Sequence, residues 1–152
     1  SFDRAGNLLV VSITQGRIYR ISPAGEFTVL HEYDGEPNGL KIHQDGRIFI
    51  ADHERGLLVL DPATQKFQTW STGIPEFYAY DVWADRHGEA WASTEFADRV
   101  VRIDTASGQM TTYLMPGPTN MRRSHGDNRP KPAHFCVGAN HTASIVRLEP
   151  LE

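Results

Sequence analysis

The sequence predicts an all-β chain built as a run of about four β-propeller blades, and three observations predict it. A unit of about 40 residues recurs along the chain. Each unit consists of short apolar runs punctuated by Asp, Gly and Pro turns. No segment carries the 3.6-residue apolar period that a helical repeat of similar length would need. The period can be counted: Gly6 to Gly46 is 40 residues and Gly46 to Gly88 is 42, while Ile21, Leu60, Ile103 and Leu148 lie 39, 43 and 45 apart.

The first copy runs from the turn Asp3-Arg4-Ala5-Gly6 through Leu8-Leu9-Val10-Val11 to Gly16-Arg17-Ile18-Tyr19-Arg20-Ile21. The second has Asp45-Gly46, then Ile48-Phe49-Ile50, then Gly56-Leu57-Leu58-Val59-Leu60-Asp61-Pro62. Its four strands are expected at Gly39 to His43, Arg47 to Asp52, Leu57 to Asp61 and Phe67 to Trp70, from the innermost outwards. The third copy has Asp85-Arg86-His87-Gly88, Ala90-Trp91-Ala92 and Arg99-Val100-Val101-Arg102-Ile103-Asp104. A looser fourth has Phe135-Cys136-Val137 and Ser144-Ile145-Val146-Arg147-Leu148. The second strand of a blade is covered on both faces by neighbouring blades, so it reads as a continuous apolar run. Leu9, Phe49, Trp91 and Cys136 fall at equivalent places in it, and Cys136 is expected to pack as a small core hydrophobe.

The first blade is expected to lack its innermost strand and the last its outermost. The single segment 1–152 therefore reads as a fragment or shortened variant of a ring, in which an upstream segment would supply both strands. The formal charge of −4 argues against a nucleic-acid or acidic-membrane partner, and no apolar run approaches the roughly 20 residues of a membrane helix. A single Cys excludes an internal disulfide framework and leaves the compartment open. No Gly-rich phosphate loop and no Gly-x-Ser-x-Gly nucleophile elbow is present.

The first half resembles the gluconolactonase and senescence-marker-protein (regucalcin-like) family. The resemblance lies in Gly16-Arg17-Ile18-Tyr19-Arg20-Ile21, in Tyr33-Asp34-Gly35-Glu36-Pro37-Asn38-Gly39-Leu40 and in Asp45-Gly46-Arg47-Ile48-Phe49-Ile50-Ala51-Asp52. The stretch from Tyr78 to Leu114 is similar to blades of the streptogramin B lyase type, through Tyr80-Asp81-Val82-Trp83, Gly88-Glu89-Ala90-Trp91 and Asp98-Arg99-Val100-Val101-Arg102. The first resemblance implies a six-bladed parent with a divalent metal at one mouth of the channel. That ion is calcium by the family's oxygen ligands, with zinc or manganese also accepted. It also implies hydrolysis of small sugar-type lactones. The family's N-terminal Glu-Gly-Pro ligand motif does not occur in this sequence.

On that resemblance Asn38, at the start of an inner strand, is the first candidate metal ligand; Asn-Gly is equally a turn signal. Asp81 opens the next inner strand as a candidate ligand or general base, although Tyr80 takes its place when the count is made from Gly88. Asn120 is the third candidate ligand, and Arg122 or Arg123 a candidate for an anionic group or an oxyanion. Glu36 reads as a solvated turn carboxylate. His53 and His141 lack the spacing of a zinc-binding pair. His125 and Asp127 fall in a Gly- and Pro-rich stretch, Gly117 to Pro132, expected to be the longest irregular region. The expected partner is a small lactone or ester. The alternatives are elimination of the streptogramin B lyase kind and a non-catalytic propeller that binds a ligand or another protein.

Overall fold

The structure, a computed structural model, describes residues 1–129 and 133–151. Four antiparallel sheets follow one another along the chain. The first holds β1 (Leu8–Ser12), β2 (Arg17–Ile21) and β3 (Phe27–Glu32). The second holds β4 (Pro37–Ile42), β5 (Ile48–Asp52), β6 (Gly56–Asp61) and β7 (Lys66–Trp70). The third holds β8 (Ala79–Ala84), β9 (Ala90–Thr94), β10 (Arg99–Ile103) and β11 (Met110–Leu114). The fourth holds β12 (Met121–Asp127), β13 (His134–Ala139) and β14 (Ser144–Leu148). Each sheet is a meander, as blades require, and the three-stranded first and fourth sheets match the strand count expected from the sequence.

Three apolar cores lie between consecutive blades. Leu9 and Ile18 of the first blade meet Leu40, Ile48, Ile50, Leu58 and Leu60 of the second. Phe49, Ala51, Leu57 and Val59 point the other way, onto Ala79, Val82, Ala90, Ala92, Val101 and Ile103 of the third. Trp91 and Val100 then meet Met121, Phe135 and Val137 of the fourth. Strands β5 and β6 thus read as unbroken apolar runs because their alternate residues feed two different cores. At about 25 cal/mol per Å² of apolar surface removed from water, these three layers are what hold the sheets side by side. Trp91 stacks on Phe135 at 5.4 Å and on Tyr113 at 5.7 Å.

Two expectations change. Cys136 is half-buried rather than in the core: it shares with Ile145 and Arg147 the face of the fourth sheet that turns away from the third. The Gly117 to Pro132 stretch is not one irregular loop, since Met121–Asp127 forms the inner strand β12 with His125 and Asp127 in it. Residues 130–132 of that stretch lie outside the described residues. The length of β12 is hidden in the sequence because an inner strand lines the channel and has polar residues on that side. Its buried positions are Met121, Ser124 and Gly126.

Candidate functional site at the channel mouth

The inner strands β4, β8 and β12 all begin at the same end of the blades, and each begins with a β-bulge. Pro37 pairs with Asp52 and Gly39 with Ala51, leaving Asn38 unpaired. Ala79 pairs with Thr94 and Asp81 with Ser93, leaving Tyr80 unpaired. In β12 the shift falls between Met121 and Ser124, at Arg122 and Arg123. A bulge re-aims the extra side chain away from the sheet. Here the device recurs in three blades and presents Asn38, Tyr80 and Arg122 at one mouth, at equal intervals of 42 residues.

Two further positions complete the pattern. The N–H of His53 donates to the carbonyl of Glu36, that of Glu95 to Tyr78, and that of Asn140 to Asn120. Glu36, Tyr78 and Asn120 are therefore equivalent, as are His53, Glu95 and Asn140. The second, third and fourth blades each supply three residues at these positions: Glu36, Asn38 and His53; Tyr78, Tyr80 and Glu95; Asn120, Arg122 and Asn140.

These side chains are wired across blades. His53 Nδ1 lies 3.6 Å from Glu36 Oε2, and its Nε2 is 2.6 Å from Asn38 Nδ2 and 4.0 Å from Glu95 Oε2. With the Nδ1 proton facing Glu36, Nε2 is the acceptor for the Asn38 amide. Glu95 Oε1 pairs with Arg122 NH1 at 2.6 Å, and Arg122 Nε donates to Asn120 Oδ1 at 3.0 Å. The Asn120 amide nitrogen donates to the Glu95 carbonyl at 3.1 Å. The guanidinium carbons of Arg122 and Arg123 lie 5.0 and 5.7 Å from the centre of the Tyr80 ring, where a cation is attracted to the π face. The side chains of Glu95 and His53 are only 12% and 15% exposed, so the middle of this chain of contacts is shielded from bulk water, whereas Glu36 and Arg122 at its two ends are open to solvent.

The turn that carries His53 is fixed from beneath. Asp52 is fully buried; its Oδ1 accepts the N–H groups of Glu54 and Arg55, and its Oδ2 accepts the Tyr33 hydroxyl at 2.9 Å. Burial first, and then the Asp52 charge, push the Tyr33 hydroxyl well above its ordinary value of 10, so it stays a donor. In the third blade Asp98 does comparable work. It accepts from Thr119 N, Thr119 Oγ1 and Asn120 N and ties the β9–β10 turn to the entry of β12. Burial opposes the charge on Asp98, but these bonds outweigh it and hold its carboxyl below the usual carboxylate value.

A cleft of about 540 Å³ opens beside His53, between the His53–Gly56 turn and the Ser71–Tyr78 connection. Glu36, Glu54 and Glu76 line it against one cation, Arg55. Tyr78 forms one side and packs edge-on to His53 at 5.9 Å.

The four sequence candidates share this end of the blades but do not converge. Asn38 is at the mouth and bonds His53. Asp81 is 2% exposed and lies between strands: its Oδ1 accepts the Val82 N–H and its Oδ2 the Ser124 N–H of β12 at 2.9 Å. Gly39 makes that insertion possible, since a Cβ there would stand 2.7 Å from Asp81 Cα. Tyr80, not Asp81, holds the place equivalent to Asn38. Asn120 has both amide atoms engaged, and Arg122 is where the sequence put it. The donors do not fit a calcium ion as they stand. Such an ion takes six to eight oxygens, whereas both Asp81 oxygens accept backbone N–H groups and a guanidinium holds Asn120 Oδ1 and Glu95 Oε1, so that of the three candidate ligands only Asn38 keeps its oxygen clear of such bonds. Among the described residues no group of three or more His, Cys, Asp or Glu side chains is arranged to hold a metal ion. Sequence reasoning passed over His53, Glu95 and Tyr78. The signal was available in the 42-residue intervals from Glu36 to Tyr78 to Asn120 and from His53 to Glu95.

Fold and rim together define the class: a run of propeller blades whose channel mouth gathers titratable and amide side chains. No family model matches the chain. It is similar over 99% of its length to the structure of streptogramin B lyase, with a TM-score of 0.78 and 15% identity, covering 53% of that chain. It is similar over 91% to a gluconolactonase from Xanthomonas campestris, with a TM-score of 0.67 and 16% identity, covering 52% of that chain. A structure of the nidogen/laminin complex matches as well, over 93% of this chain and 56% of that one, with a TM-score of 0.75 and 14% identity. In sequence, 52 residues are 33% identical to lactonase drp35 of Staphylococcus epidermidis, which is 33% of this chain and 16% of that protein. The blades thus have the propeller architecture that gluconolactonase and streptogramin B lyase share. The chain spans about half the length of these solved structures and a sixth of the lactonase.

Proposed function

We propose that the protein to which these blades belong hydrolyses lactones at the channel mouth. The observation that carries this reading is the His53 imidazole set between Glu36 and Asn38 at the edge of a cleft of ligand size. The partial match to a lactonase and the architecture shared with a gluconolactonase support the choice of ring-ester substrate.

In this mechanism the Asn38 amide turns from His53 Nε2 to the substrate, and the freed Nε2 takes a proton from water as the oxygen attacks the lactone carbonyl carbon. Glu36 keeps the imidazole oriented and offsets its positive charge. The carbonyl oxygen becomes an oxyanion, for which the Asn38 amide N–H and the Arg122 guanidinium are the nearby donors. Collapse breaks the ring C–O bond, and the departing alkoxide takes the proton back from His53. The product is a hydroxy acid, whose new carboxylate meets Glu36, Glu54 and Glu76 and is disfavoured in the cleft, which aids release. No step is routed through the metal that the family resemblance implies.

The test is proton release from simple γ- and δ-lactones by the wild-type chain and by His53→Gln. A loss of about 100-fold or more is expected for the variant, with an unchanged far-ultraviolet spectrum. Equal rates would sink the role of His53. A second reading, ring-ester elimination, is favoured by the near-complete structural overlap with streptogramin B lyase. Labelled water separates the two, since hydrolysis places its oxygen in the product and elimination leaves a double bond instead.

A further inference from the structure

The joints between blades are built from cross-strand pairs on β5 and β6 and on the strands equivalent to them. In the second blade Phe49–Val59 and Ala51–Leu57 face forwards to the third, and Ile48–Leu60 and Ile50–Leu58 face backwards to the first. In the third blade Trp91–Arg102 and Ser93–Val100 face forwards, and Ala90–Ile103 and Ala92–Val101 backwards. Two halves of such a joint are left over. On the first blade the backward pairs are Leu8–Ile21 and Val10–Tyr19, extended on β3 by Phe27 and Val29. On the fourth the forward pairs are Cys136–Arg147 and Gly138–Ile145.

The half on the first blade is an apolar face that no described sheet covers. Its counterparts in the second and third blades are at most 2% exposed. Here Leu8, Val10, Tyr19 and Ile21 are only half-buried, and Phe27 and Val29 are 70% and 48% exposed. Phe27 meets Tyr19 edge to face at 6.1 Å, so the patch is continuous across the sheet. A contiguous apolar patch of this kind marks an interface. The half on the fourth blade complements it in size. Between the second and third blades, large Phe49 and Leu57 meet small Ala90 and Ala92. In the leftover halves the order is reversed: Leu8, Tyr19 and Ile21 are large, and Cys136 and Gly138 are small. Ile145, 79% exposed, adds an apolar contact.

We infer that the occupant of the apolar face is a second copy of this chain, bound head to tail, with the fourth blade of each copy packed on the first blade of the other. One chain carries both halves of one joint, in the register that its own three joints use. Head-to-tail contacts close into a ring when their rotations complete a turn, and otherwise run on as a filament. The chain spans about half the length of the propellers whose architecture it shares, so two copies supply about one ring of blades. Closure then lines the channel mouth twice, with Asn38, Tyr80 and Arg122 from each copy. Cys136 and Gly138 bury little surface, so the joint is weaker than the internal ones. A dissociation constant on the order of 10 μM is expected, and below it a monomer with both faces open. The joint is independent of the chemistry proposed for the mouth.

The test is sedimentation velocity of the full chain over roughly a hundredfold range of concentration around that value. One reversible step from the 17.1 kDa monomer to a dimer is expected, with nothing larger. Tyr19→Glu puts a charge on the apolar face and should weaken the dimer at least about tenfold. Leu114→Glu, at a position 69% exposed on the outer strand of the third blade, should leave it unchanged. Circular dichroism checks that each variant is folded, and Val29→Glu replaces Tyr19→Glu if that one is not. Leu8→Cys then tests the orientation. Residue 8 holds the place of Phe135, and Cys136 that of Trp91, whose rings lie 5.4 Å apart in the joint between the third and fourth blades. A short bis-maleimide should join residue 8 of one copy to Cys136 of the other, read by peptide mass spectrometry. A chain that stays monomeric throughout assigns the face to another occupant and overturns the proposal. So do species larger than a dimer, a wild-type Cys136–Cys136 link in equal yield, or a dimer that tolerates the charge on its apolar face.

Discussion

Phe49 and Cys136 hold the same place in the second strand of their blades, and their surroundings differ completely. Phe49 is 0% exposed, packed between the second and third sheets. Cys136 is half-buried on a face that no described sheet covers. Position within a blade therefore fixes which way a side chain points, and the neighbouring blade decides whether it is buried. The rim obeys the same division. Backbone bulges fix where Asn38, Tyr80 and Arg122 project, while their chemistry is free to vary: an amide, an aromatic ring and a guanidinium.

The largest expected effect breaks this comparison directly. Phe49→Ala empties a position enclosed on both sides, and about 3–5 kcal/mol of stability should be lost. Cys136→Ala, at the equivalent position, should change stability by less than about 1 kcal/mol. Urea unfolding of the two variants checks both. Comparable losses would mean that the fourth sheet is covered as fully as the second.

A smaller effect concerns how tightly successive blades meet. Trp83 of β8 lies so close over Gly126 of β12 that a Cβ there would stand 1.8 Å from its ring. Gly126→Ala must push the indole or the strand away, at a cost of about 1–3 kcal/mol. Gly138 in β13 offers the contrast, with its nearest neighbour, the Arg123 carbonyl oxygen, at 3.8 Å. Gly138→Ala should be close to neutral in the same unfolding experiment. If both are neutral, the Trp83 contact is not part of the blade interface.

The repeat made the fold legible. The turn glycines and the paired apolar runs recur at nearly constant spacing, and strands β4 to β7 fall within two residues of their expected limits. The fourth blade was harder because its inner strand, Met121–Asp127, is mostly polar and sits in a stretch rich in Gly and Pro. The site was legible in part. Asn38 and Arg122 stand at the mouth, and Tyr80, which the count from Gly88 offered in place of Asp81, holds the bulge position equivalent to Asn38, with Asp81 one residue further on and turned between strands. His53 and Glu95 were missed for a structural reason. Glu95 pairs with Arg122 of the fourth blade and His53 of the second blade approaches Glu95, and spacing within one blade says nothing about contacts made between blades.

The smallest expected effect compares two equivalent turns at the opposite end of the blades, where the electrostatics have opposite sign. In the second blade His43, Asp45 and Arg47 occupy the places taken by Asp85, His87 and Glu89 in the third, as the matching turn hydrogen bonds show. Burial works against the charge on Asp45, but the Arg47 N–H, His43 and the Arg47 guanidinium together hold its carboxyl at about 2, below the ordinary 3.8. In Glu89, burial and the adjacent Asp85 outweigh the two bonds from Arg102 and move the carboxyl upwards. A depressed carboxyl stabilises the fold above its unfolded value and loses that contribution as pH falls, so the Asp45 contribution is complete above about pH 4 and fades towards pH 2. Asp45 is 41% exposed, so solvent screening keeps this below about 1 kcal/mol. A raised carboxyl acts in the other sense: the Glu89 charge costs stability at neutral pH, and that cost is relieved as the pH falls through its folded value. Thermal unfolding from pH 7 to pH 3 should show the gap between wild type and Asp45→Asn shrinking as acid is added. For Glu89→Gln, wild type should instead gain on the variant on acidification. Parallel curves for both variants would mean that these two turns, despite their opposite charges, are electrostatically equivalent.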